Sequence, residues 1–319
     1  MTYLFIINPF AGNGTLSDQL RDNIHRIEYL KNKEVLIFNS EYPGHETILV
    51  NQVMQFLPNE DFFIFACSGT GSFHYILNAD LNFDKIKITH VACGNTNNDL
   101  KVFGNKVISR FTDINELLQG DTLYLDYIKT NSANAINTIS CGYSAKIIQI
   151  HNHLSFFSTL IPNFSWLFSG FLGIISEKVH KYEITIDGID YSGDYHEIIC
   201  ANGRVQGGAL FLGNEITPDD GLLNFILIPQ MNVFSLIKTI MGFYFHNPKL
   251  FHKKVIRLTG KTFSIKRVDG KQLKVNLDSE ITPIDYIEGE IIPNKLPFIV
   301  PKGVKIKHRI KKGSTNGKK

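Results

Sequence analysis

The stretch FFIFACSGTGS, residues 62–72, joins an apolar run to a loop of small residues. An unbroken apolar run of this kind is typical of a strand that is buried on both faces of a sheet. The loop at Ser68–Ser72 leads into a helical pattern over Gly71–Asn78. Glycine lets a backbone approach a phosphate group closely, and a helix N-terminus offers unpaired N–H groups. The stretch therefore predicts a buried strand, a phosphate-binding turn and a helix.

The same alternation of apolar runs and helical patterns continues through the first 120 residues. Strands are expected at Leu4–Asn8, Val35–Asn39, Phe62–Cys67 and Ile88–Ala92, and helices at Thr15–Leu30, His45–Phe56 and Gly71–Asn78. Strands that alternate with helices predict a parallel sheet covered on both faces. We therefore expect residues 1–120 to form a three-layer α/β domain.

The pattern changes near Asp121, where short segments of alternating polarity take over. Strands are expected at Thr122–Thr130, Ala135–Cys141, Tyr182–Asp187, Tyr195–Asn202, Leu222–Ile228, Val255–Thr259, Thr262–Lys266 and Lys274–Leu277. Turn signals separate them, so residues 121–293 are expected to form an antiparallel β-sandwich. Helical stretches are expected at His151–His180 and Asn232–Phe245. The run Lys295–Val300 is expected to return to the first sheet, as a strand at about residues 294–301.

Composition places the chain among globular proteins. It has 319 residues, of which 43% are hydrophobic and 20% charged, and this length favours two domains. No apolar run reaches the roughly 18 residues of a membrane-spanning helix, and the N-terminus lacks the features of a signal peptide. Four cysteines stand singly and lack zinc-ligand spacing, which favours free thiols in a cytoplasmic protein: Cys67, Cys93, Cys141 and Cys200.

Two segments outside the expected strands have two interpretations each. The tail Lys302–Lys319 carries eight Lys or Arg residues and no acid. It is either a solvated end or a segment attracted to anionic lipid or nucleic acid. The segment Leu154–Ile175 holds the single tryptophan, Trp166, and five phenylalanines. It is either a helix packed on the sandwich or an interfacial segment that collects a lipid.

Two further polar loops follow predicted strands. Asn8–Gly14 follows the first strand, and Cys93–Asp99 follows the fourth. Because the carboxyl ends of parallel strands meet at one edge of a sheet, these loops are expected to lie beside Ser68–Ser72. None of the three has the full pattern of a P-loop or of a dinucleotide-binding turn. Together they predict a nucleotide site at this edge.

In order and spacing, these segments resemble the catalytic domain of the diacylglycerol kinase family, which includes bacterial lipid kinases and sphingosine kinases. Residues 8–12 resemble its NPxSG segment, residues 40–45 its TxxxGH, residues 68–72 its GGDGT and residues 93–100 its PGGTxNDF. In the second half, residues 201–208 resemble ANGxxxGGG, residues 218–223 its DDGLL turn, and residues 277–280 its VDGE. The resemblance spans about residues 3–300.

The resemblance implies a nucleotide-binding domain like that of NAD kinases, followed by a lipid-substrate domain. It implies ATP and Mg²⁺ as cofactors and a lipid at a membrane surface as substrate. No nucleic-acid partner is expected, and a homodimer is left open. The residues implied at the ATP site are Asn8, Pro9, Phe10, Ala11, Gly12, Ser40, Cys67, Ser68, Gly69, Thr70, Gly71, Ser72, Phe73, Thr96 and Asn98. Glu280 and Asp278 are implied at the position of the catalytic base, and Thr217, Asp220 and Leu222 at a metal site.

One departure from the family pattern divides the functional hypotheses. Thr70 stands where the GGDGT segment has its acid, so it keeps a hydroxyl group but brings no negative charge. The chain is then either an active lipid kinase that uses Glu280 and Asp278, or a nucleotide- or lipid-binding homologue without catalysis. A third hypothesis is a kinase of a soluble alcohol on the related NAD-kinase fold.

Overall fold

A computed structural model describes residues 1–12, 16–94, 96–147, 173 and 179–308 of the chain, without the side chains of residues 16–18. The first half forms a parallel sheet in the order β2–β1–β3–β4. Its strands are β1 (Thr2–Ile7), β2 (Val35–Asn39), β3 (Phe62–Ser68) and β4 (Ile86–Ala92).

Helices connect these strands and bury their apolar sides against them. They are α1 (Leu16–Arg26), α2 (His45–Phe56), α3 (Thr70–Leu77) and α4 (Ile114–Leu118), with 3-10 helices at Glu28–Leu30, Asp99–Phe103 and Asn105–Thr112. All residues of β1 and β3 are buried, and the Phe5 and Phe65 rings stack with centroids 4.3 Å apart. The core therefore lies on both faces of the sheet, as the apolar strands predict.

The second half is antiparallel. Its strands are β5 (Asp121–Thr130), β6 (Thr138–Gly142), β7 (His180–Ile186), β8 (Ile189–Asp190), β9 (Gly193–Ala201), β10 (Val205–Gln206), β11 (Leu210–Phe211), β12 (Leu223–Pro229), β13 (Ile256–Gly260), β14 (Thr262–Arg267), β15 (Leu273–Leu277), β16 (Glu280–Ile284) and β17 (Tyr286–Val300). A helix, α5 (Val233–Tyr244), and a 3-10 helix at Pro248–Leu250 lie between β12 and β13. Side chains from β6, β7, β9, β12, β14, β15 and β17 form a second core. The predicted α/β and β-sandwich architecture is confirmed.

The long strand β17 joins the two halves. Its end pairs in parallel with β4, where Phe298 lies opposite Ile88, and it pairs in antiparallel fashion with β5 along most of its length. The register of the β5 pairing shifts between Ile292 and Leu296, and Asn294 in this bulge has a φ of 48°. Only the last part of β17 was expected from the sequence, because Pro293 interrupts the strand pattern before it; the bulge accommodates this proline.

Three other local expectations differ from the structure or fall outside it. The first helix ends at Arg26, four residues before the expected end, and a 3-10 turn follows. Strand β16 was not expected because it contains Pro283, which is tolerated at the edge of the sheet. The helical stretch expected over residues 151–180, with Leu154–Ile175, lies almost wholly outside the described residues, and His180 begins β7.

The four cysteines are free thiols, as predicted, and Cys67, Cys141 and Cys200 are buried. No helix in the described part of the chain is long and apolar enough to span a bilayer.

Candidate functional site

A cleft of about 500 Å³ opens at the carboxyl edge of the parallel sheet. Loops from β1, β2, β3 and β4 meet there with the start of β16 from the second half of the chain. The lining residues are Asn8, Phe10, Ala11, Gly12, Ser40, Glu41, Tyr42, Pro43, Glu46, Gly69, Gly71, Ser72, Tyr75, Gly94 and Glu280. Crevices at this edge are where open α/β sheets bind ligands.

The loop after β1 is tied to the start of α3 by one asparagine. Asn8 donates from Nδ2 to the Ser72 hydroxyl at 2.7 Å, and its Oδ1 accepts from the Phe10 N–H at 2.9 Å. Gly12 has a φ of 64°, a left-handed conformation that glycine adopts without strain. The first and second predicted loops therefore form one wall of the cleft.

The start of α3 resembles an anion-binding site. No side chain caps this helix, whose N-cap is Gly69, and the N–H groups of Gly71 and Ser72 have no hydrogen-bond acceptor in the described part of the chain. The loop packs tightly against the one that follows β4, because a Cβ added to Gly94 would lie 2.3 Å from the Gly69 Cα. Only glycine allows this approach of two backbones, and the Thr70 N–H donates to the Thr96 carbonyl at 3.1 Å across it.

Thr70 points away from the cleft. Its side chain is fully buried, and its hydroxyl accepts from the Asn98 N–H at 2.9 Å. As a donor, the hydroxyl lies 3.1 Å from the Thr96 carbonyl and 3.2 Å from Asp99 Oδ1. At the position of the family's acid, this chain therefore has a hydroxyl that fastens the loop after β4 to α3.

A buried His–Asp pair lies behind these loops. His90 Nδ1 is 2.7 Å from Asp99 Oδ2, and its Nε2 is 3.0 Å from the Ser68 carbonyl. Burial acts to lower the pKa of His90, but the charge and hydrogen bond of Asp99 and the carbonyl of Ser68 outweigh it, so the pKa is raised. The pair links β4 to the 3-10 helix that follows it and to the end of β3.

Glu280 is the acid that the second half of the chain brings into the cleft. Its Oε2 accepts from the Tyr75 hydroxyl at 2.6 Å, and this bond crosses from α3 to β16. Its Oε1 lies so close to α3 that a Cβ on Gly71 would be 2.8 Å from it. Burial, followed by the bond to Glu280, raises the pKa of Tyr75, so the tyrosine remains a donor at neutral pH.

Asp278 has a different environment from Glu280. It is buried, and its two oxygens accept from the N–H groups of Ile136, Asn137 and Thr138 at 2.7–2.9 Å. Its φ of 51° belongs to the turn between β15 and β16, and it lies 3.6 Å from His74 Nδ1. With its oxygens occupied, Asp278 is placed to hold the turn that carries Glu280 and does not line the cleft.

The candidate metal residues lie at a different junction. Asp220 accepts from the Thr217 hydroxyl at 3.2 Å and from the Leu222 N–H at 3.0 Å. Both oxygens of the neighbouring Asp126 accept from backbone N–H groups at 2.7 Å, whereas the buried Asp219 Oδ1 has no hydrogen-bond partner among the described residues. Burial, together with this crowding of carboxylates, raises the pKa of Asp126 and of Asp220.

A hard cation suits this surplus of negative oxygen atoms. Within the described ranges, no three His, Cys, Asp or Glu side chains converge as a metal-binding group, so ligands would have to include hydroxyl or carbonyl oxygens. Thr217 and Leu222 can supply such oxygens. The turn is not among the residues that line the cleft.

The structure separates the predicted site residues into two groups. Those that line the cleft are Asn8, Phe10, Ala11, Gly12, Ser40, Gly69, Gly71, Ser72 and Glu280. Those behind or beside the lining residues are Pro9, Cys67, Ser68, Thr70, Phe73, Thr96, Asn98 and Asp278, and of these Cys67, Thr70 and Phe73 are fully buried. The residues of the second group hold the loops in shape, and the residues of the first group are the ones that a ligand in the cleft could contact.

Six lining residues were not predicted: Glu41, Tyr42, Pro43, Glu46, Tyr75 and Gly94. Glu41, Tyr42 and Pro43 lie in the segment that resembles TxxxGH, so the resemblance could have included them. No sequence signal distinguishes Tyr75, which lies inside a helix, or Glu46, whose buried Oε2 has no hydrogen-bond partner in the described structure.

Comparison with known proteins agrees with this architecture. Residues 2–130 match the family model of the diacylglycerol kinase catalytic domain, and residues 137–300 match that of the YegS C-terminal NAD kinase β-sandwich-like domain. A Staphylococcus aureus (strain JH9) protein named "putative lipid kinase" is 24% identical over 249 residues, which cover 74% of this chain and 76% of that protein. The protein of the same name from strain Newman has the same identity and coverage.

Solved structures share the fold. A diacylglycerol kinase crystal structure from Bacillus anthracis (strain Sterne) superposes with a TM-score of 0.64 at 17% identity, covering 95% of this chain and 98% of that one. A second structure from that bacterium, titled a "putative diacylglycerol kinase", has a TM-score of 0.66 at 19% identity and covers 93% and 96% of the two chains.

Proposed function

Because the chain belongs to the diacylglycerol kinase catalytic family, we propose that it transfers the γ-phosphate of ATP to a hydroxyl group of a lipid, such as diacylglycerol. The observation that carries this proposal is the meeting of Glu280 with the uncapped start of α3 in one cleft. A base and a phosphate-binding backbone come from different halves of the chain and face the same space.

The first half of the chain binds the nucleotide in this proposal. The N–H groups at the start of α3 and the glycine backbone of the loops hold the phosphates. Glu46 accepts from a hydroxyl or amino group of the nucleoside through its buried, unpartnered oxygen. The fit of the cleft to a nucleotide rests on this orphaned acceptor and on Gly69, Gly71 and Gly94, whose backbone lines the cleft.

Glu280 acts as the general base. A lipid alcohol is a weak nucleophile, and a carboxylate that accepts its proton makes it reactive. Tyr75 holds one carboxylate oxygen, which orients the other across α3. Asp278 is assigned a positioning role, because its oxygens already accept three backbone N–H groups.

Mg²⁺, when bound, would neutralise charge on phosphate oxygens or on the carboxylates that surround it. Thr217, Asp220 and Leu222 are the residues we propose to hold a cation, next to the carboxylates of Asp126 and Asp219. Because this turn does not line the cleft, its proposed role is to stabilise the junction between β5, β12 and β17. We also propose a cytoplasmic location, since free thiols are typical of a reducing compartment.

The test is transfer of labelled phosphate from γ-labelled ATP to a panel of lipid alcohols in mixed micelles. Glu280→Gln should lower kcat by about 100-fold or more, because a general base contributes about 10²–10⁴ in rate. ATP binding, measured by calorimetry, should stay within a few-fold of wild type. Glu288→Gln, an exposed carboxylate on β17, is the matched control. Equal turnover by wild type and Glu280→Gln would refute the assignment of the base.

A second candidate is a homologue that binds nucleotide or lipid without catalysis. Thr70 favours it, since the position of the family's acid is occupied by a buried hydroxyl with three loop partners. ATP binding without labelling of any lipid, together with turnover gained by Thr70→Asp, would establish this candidate. Labelling of a soluble alcohol in place of every lipid would instead favour a soluble-substrate kinase.

A further inference from the structure

One face of α5 is largely apolar, and no element within the described ranges packs over it. Leu236, Thr239, Gly242 and Phe243 point into the protein. On the opposite side, residues of one stripe are exposed, with Phe234 at 87% and Phe245 at 60%. We call the exposed stripe the α5 ridge; it consists of Phe234, Lys238, Met241, Tyr244 and Phe245.

The spacing of the ridge makes it continuous. Residues three and four positions apart are neighbours on a helix surface, and Phe234, Lys238, Met241 and Phe245 follow one another at these intervals. Single exposed apolar residues are ordinary on protein surfaces, whereas contiguous ones mark an interaction site. The α5 ridge is therefore a candidate docking surface.

The surroundings of the ridge are basic. Between Gly221 and Val268 the sequence has eight Lys or Arg residues and no Asp or Glu. Four of the lysines, Lys238, Lys249, Lys253 and Lys254, are exposed, and none of them has an ion-pair partner among the described residues. Arg257 differs, because it pairs with Glu215 at 2.6 Å. The charge beside the ridge is thus unneutralised.

The basic segment follows the α5 ridge in the chain and packs on the inward side of α5. The Phe243 and Phe251 rings lie with centroids 4.4 Å apart. The His252 N–H donates to the Thr239 hydroxyl at 3.2 Å. These contacts fix residues 248–255 against the inward side of the helix. Lys249, Lys253 and Lys254 are exposed in a segment that begins three residues after Phe245, and Lys238 lies on the ridge itself.

We propose that the α5 ridge and its lysines dock the protein on a membrane surface that contains anionic lipids. Apolar and aromatic side chains on one helix face enter the region between headgroups and acyl chains, and flanking lysines bind the anionic headgroups. A second copy of the chain fits this surface less well. A two-fold interface would place each ridge and its unneutralised lysines against the same lysines of the partner.

The hairpin of β10 and β11 lies between the α5 ridge and the loop that follows β4. The Lys101 ammonium group donates to the Gly208 carbonyl, and a Cβ on Gly208 would lie 3.5 Å from the Thr96 methyl group. At the other end of the hairpin, the Phe211 ring lies 4.3 Å from the ring of His246, which follows α5. Docking deepens the proposed function, since it would bring the kinase to a lipid substrate, but the binding itself does not need catalysis.

The experiment is co-sedimentation of the full chain with vesicles. One set contains phosphatidylcholine and phosphatidylglycerol in equal parts, and the other contains phosphatidylcholine alone. Wild type should bind the anionic set and lose binding as salt rises. Phe234→Ser with Phe245→Ser should lower the partition coefficient by about tenfold or more, because two aromatic side chains no longer leave water. Lys253→Glu with Lys254→Glu should lower it by a similar factor at low salt.

Matched controls separate the ridge from general surface effects. Phe56→Ser removes a phenylalanine that is 83% exposed at the end of α2, and Lys87→Glu reverses an exposed charge at the start of β4. Both should bind vesicles like wild type. Glu280→Gln should also bind like wild type, so that failure of the proposed chemistry and failure of docking are distinguishable.

Three results would overturn the docking proposal. The first is no binding of wild type to anionic vesicles. The second is unchanged binding by the ridge variants, which would assign vesicle binding to another part of the chain. The third is a dimer in analytical ultracentrifugation that Phe234→Ser dissociates, which would make the ridge an interface between copies.

Discussion

Tyr75 and Glu280 are 205 positions apart in the chain, yet a hydrogen bond of 2.6 Å joins their side chains. The tyrosine is on α3, whose N-terminus is the proposed phosphate site, and the glutamate begins β16. The bond therefore sets the position of the proposed base relative to the helix that is proposed to hold the phosphates. In the proposed chemistry Tyr75 acts through its hydrogen bond to Glu280, so we assign it a positioning role.

Tyr75→Phe should lower kcat by about tenfold and leave the KM for ATP within a few-fold of wild type. The loss corresponds to about 1.4 kcal/mol, the scale of one hydrogen bond to a charged group. Steady-state kinetics on the lipid substrate measure both constants. Tyr29→Phe is the control, because its hydroxyl lies far from the cleft, beside the start of β1, and bonds to the Tyr3 hydroxyl at 3.2 Å. A parallel loss in both variants would point to a general effect on folding.

Thr70→Asp tests the effect of restoring the acid that the family has at this position, where this chain has a buried hydroxyl group. The new carboxylate would lie near Asp99, whose Oδ1 is 3.2 Å from the present hydroxyl. Without a divalent cation, we expect the free energy of unfolding to fall by about 2–4 kcal/mol, because two buried carboxylates repel each other. Mg²⁺ should recover part of this loss in urea denaturation. Thr70→Asn, which adds no charge, should show no Mg²⁺ dependence; an equal response of both variants would contradict the prediction.

At the scale of elements, the site depends on close contact between the turns that follow β3 and β4. Gly69 and Gly94 meet backbone to backbone, and Thr70 bonds to the loop after β4. Beneath them, His90 on β4 bonds to Asp99 on the next 3-10 helix and to the carbonyl of Ser68. These contacts hold two neighbouring strand ends in one rigid unit.

The His90–Asp99 pair should make stability depend on pH. The pKa of His90 is raised in the folded state, so between the unfolded and folded values the folded protein binds more protons. The contribution is fully present below the unfolded pKa of about 6.5 and is lost as pH rises through the folded value. His90→Gln should cost about 2–4 kcal/mol at acidic pH, because the buried Asp99 carboxylate loses the charged imidazole that pairs with it.

Urea denaturation of wild type and His90→Gln at several pH values measures this difference. The difference in free energy of unfolding between wild type and His90→Gln should become smaller as pH rises above neutrality. His25→Gln, an exposed histidine on α1, should show a small gap at every pH. A His90 gap that widens with rising pH would contradict the raised pKa.

At the scale of the molecule, polar side chains and one strand pair bind the two halves together. Arg204 is buried and donates to the carbonyls of Val102 at 3.2 Å, of Ile216 at 2.7 Å and of Lys307. The strands β5 and β17 run through both halves, and the cleft contains Glu280 only because the halves are held in register. The proposed active site is therefore a property of the whole chain.

Arg204→Met should destabilise the protein by about 2–4 kcal/mol, because three carbonyls lose their donor in a buried place. The two halves should unfold in one transition in wild type, so circular dichroism and tyrosine fluorescence should give the same urea midpoint. Arg257→Met is the control; its partners Leu212 and Glu215 both lie in the second half, so it should leave the contact between halves intact. Two separate transitions in wild type would show that the halves are not coupled.

Local sequence was sufficient to predict most of the helices and strands and most of the loops that meet at the cleft. Apolar runs, helical periodicity and glycine turns depend on residues close together in the chain, and these signals predicted β1–β4, α2, α3 and α5 to within a few residues. Motif order also indicated the family, and it singled out Glu280, whose catalytic role stays a prediction. Pro283 and the proline-containing bulge of β17 hid strands whose stability depends on neighbours that are distant in sequence.

Only the folded chain determines which of the motif residues face the cleft. Thr70 and Gly71 are adjacent in the chain but have different environments. Thr70 is buried under the loop that follows β4, whereas Gly71 lines the cleft, because successive residues of a helix face different directions. The same holds at the turn between β15 and β16, where Asp278 is buried and Glu280 lines the cleft. The bond from Tyr75, the orphaned oxygen of Glu46 and the exposure of the α5 ridge arise from packing between distant segments, which no local pattern encodes.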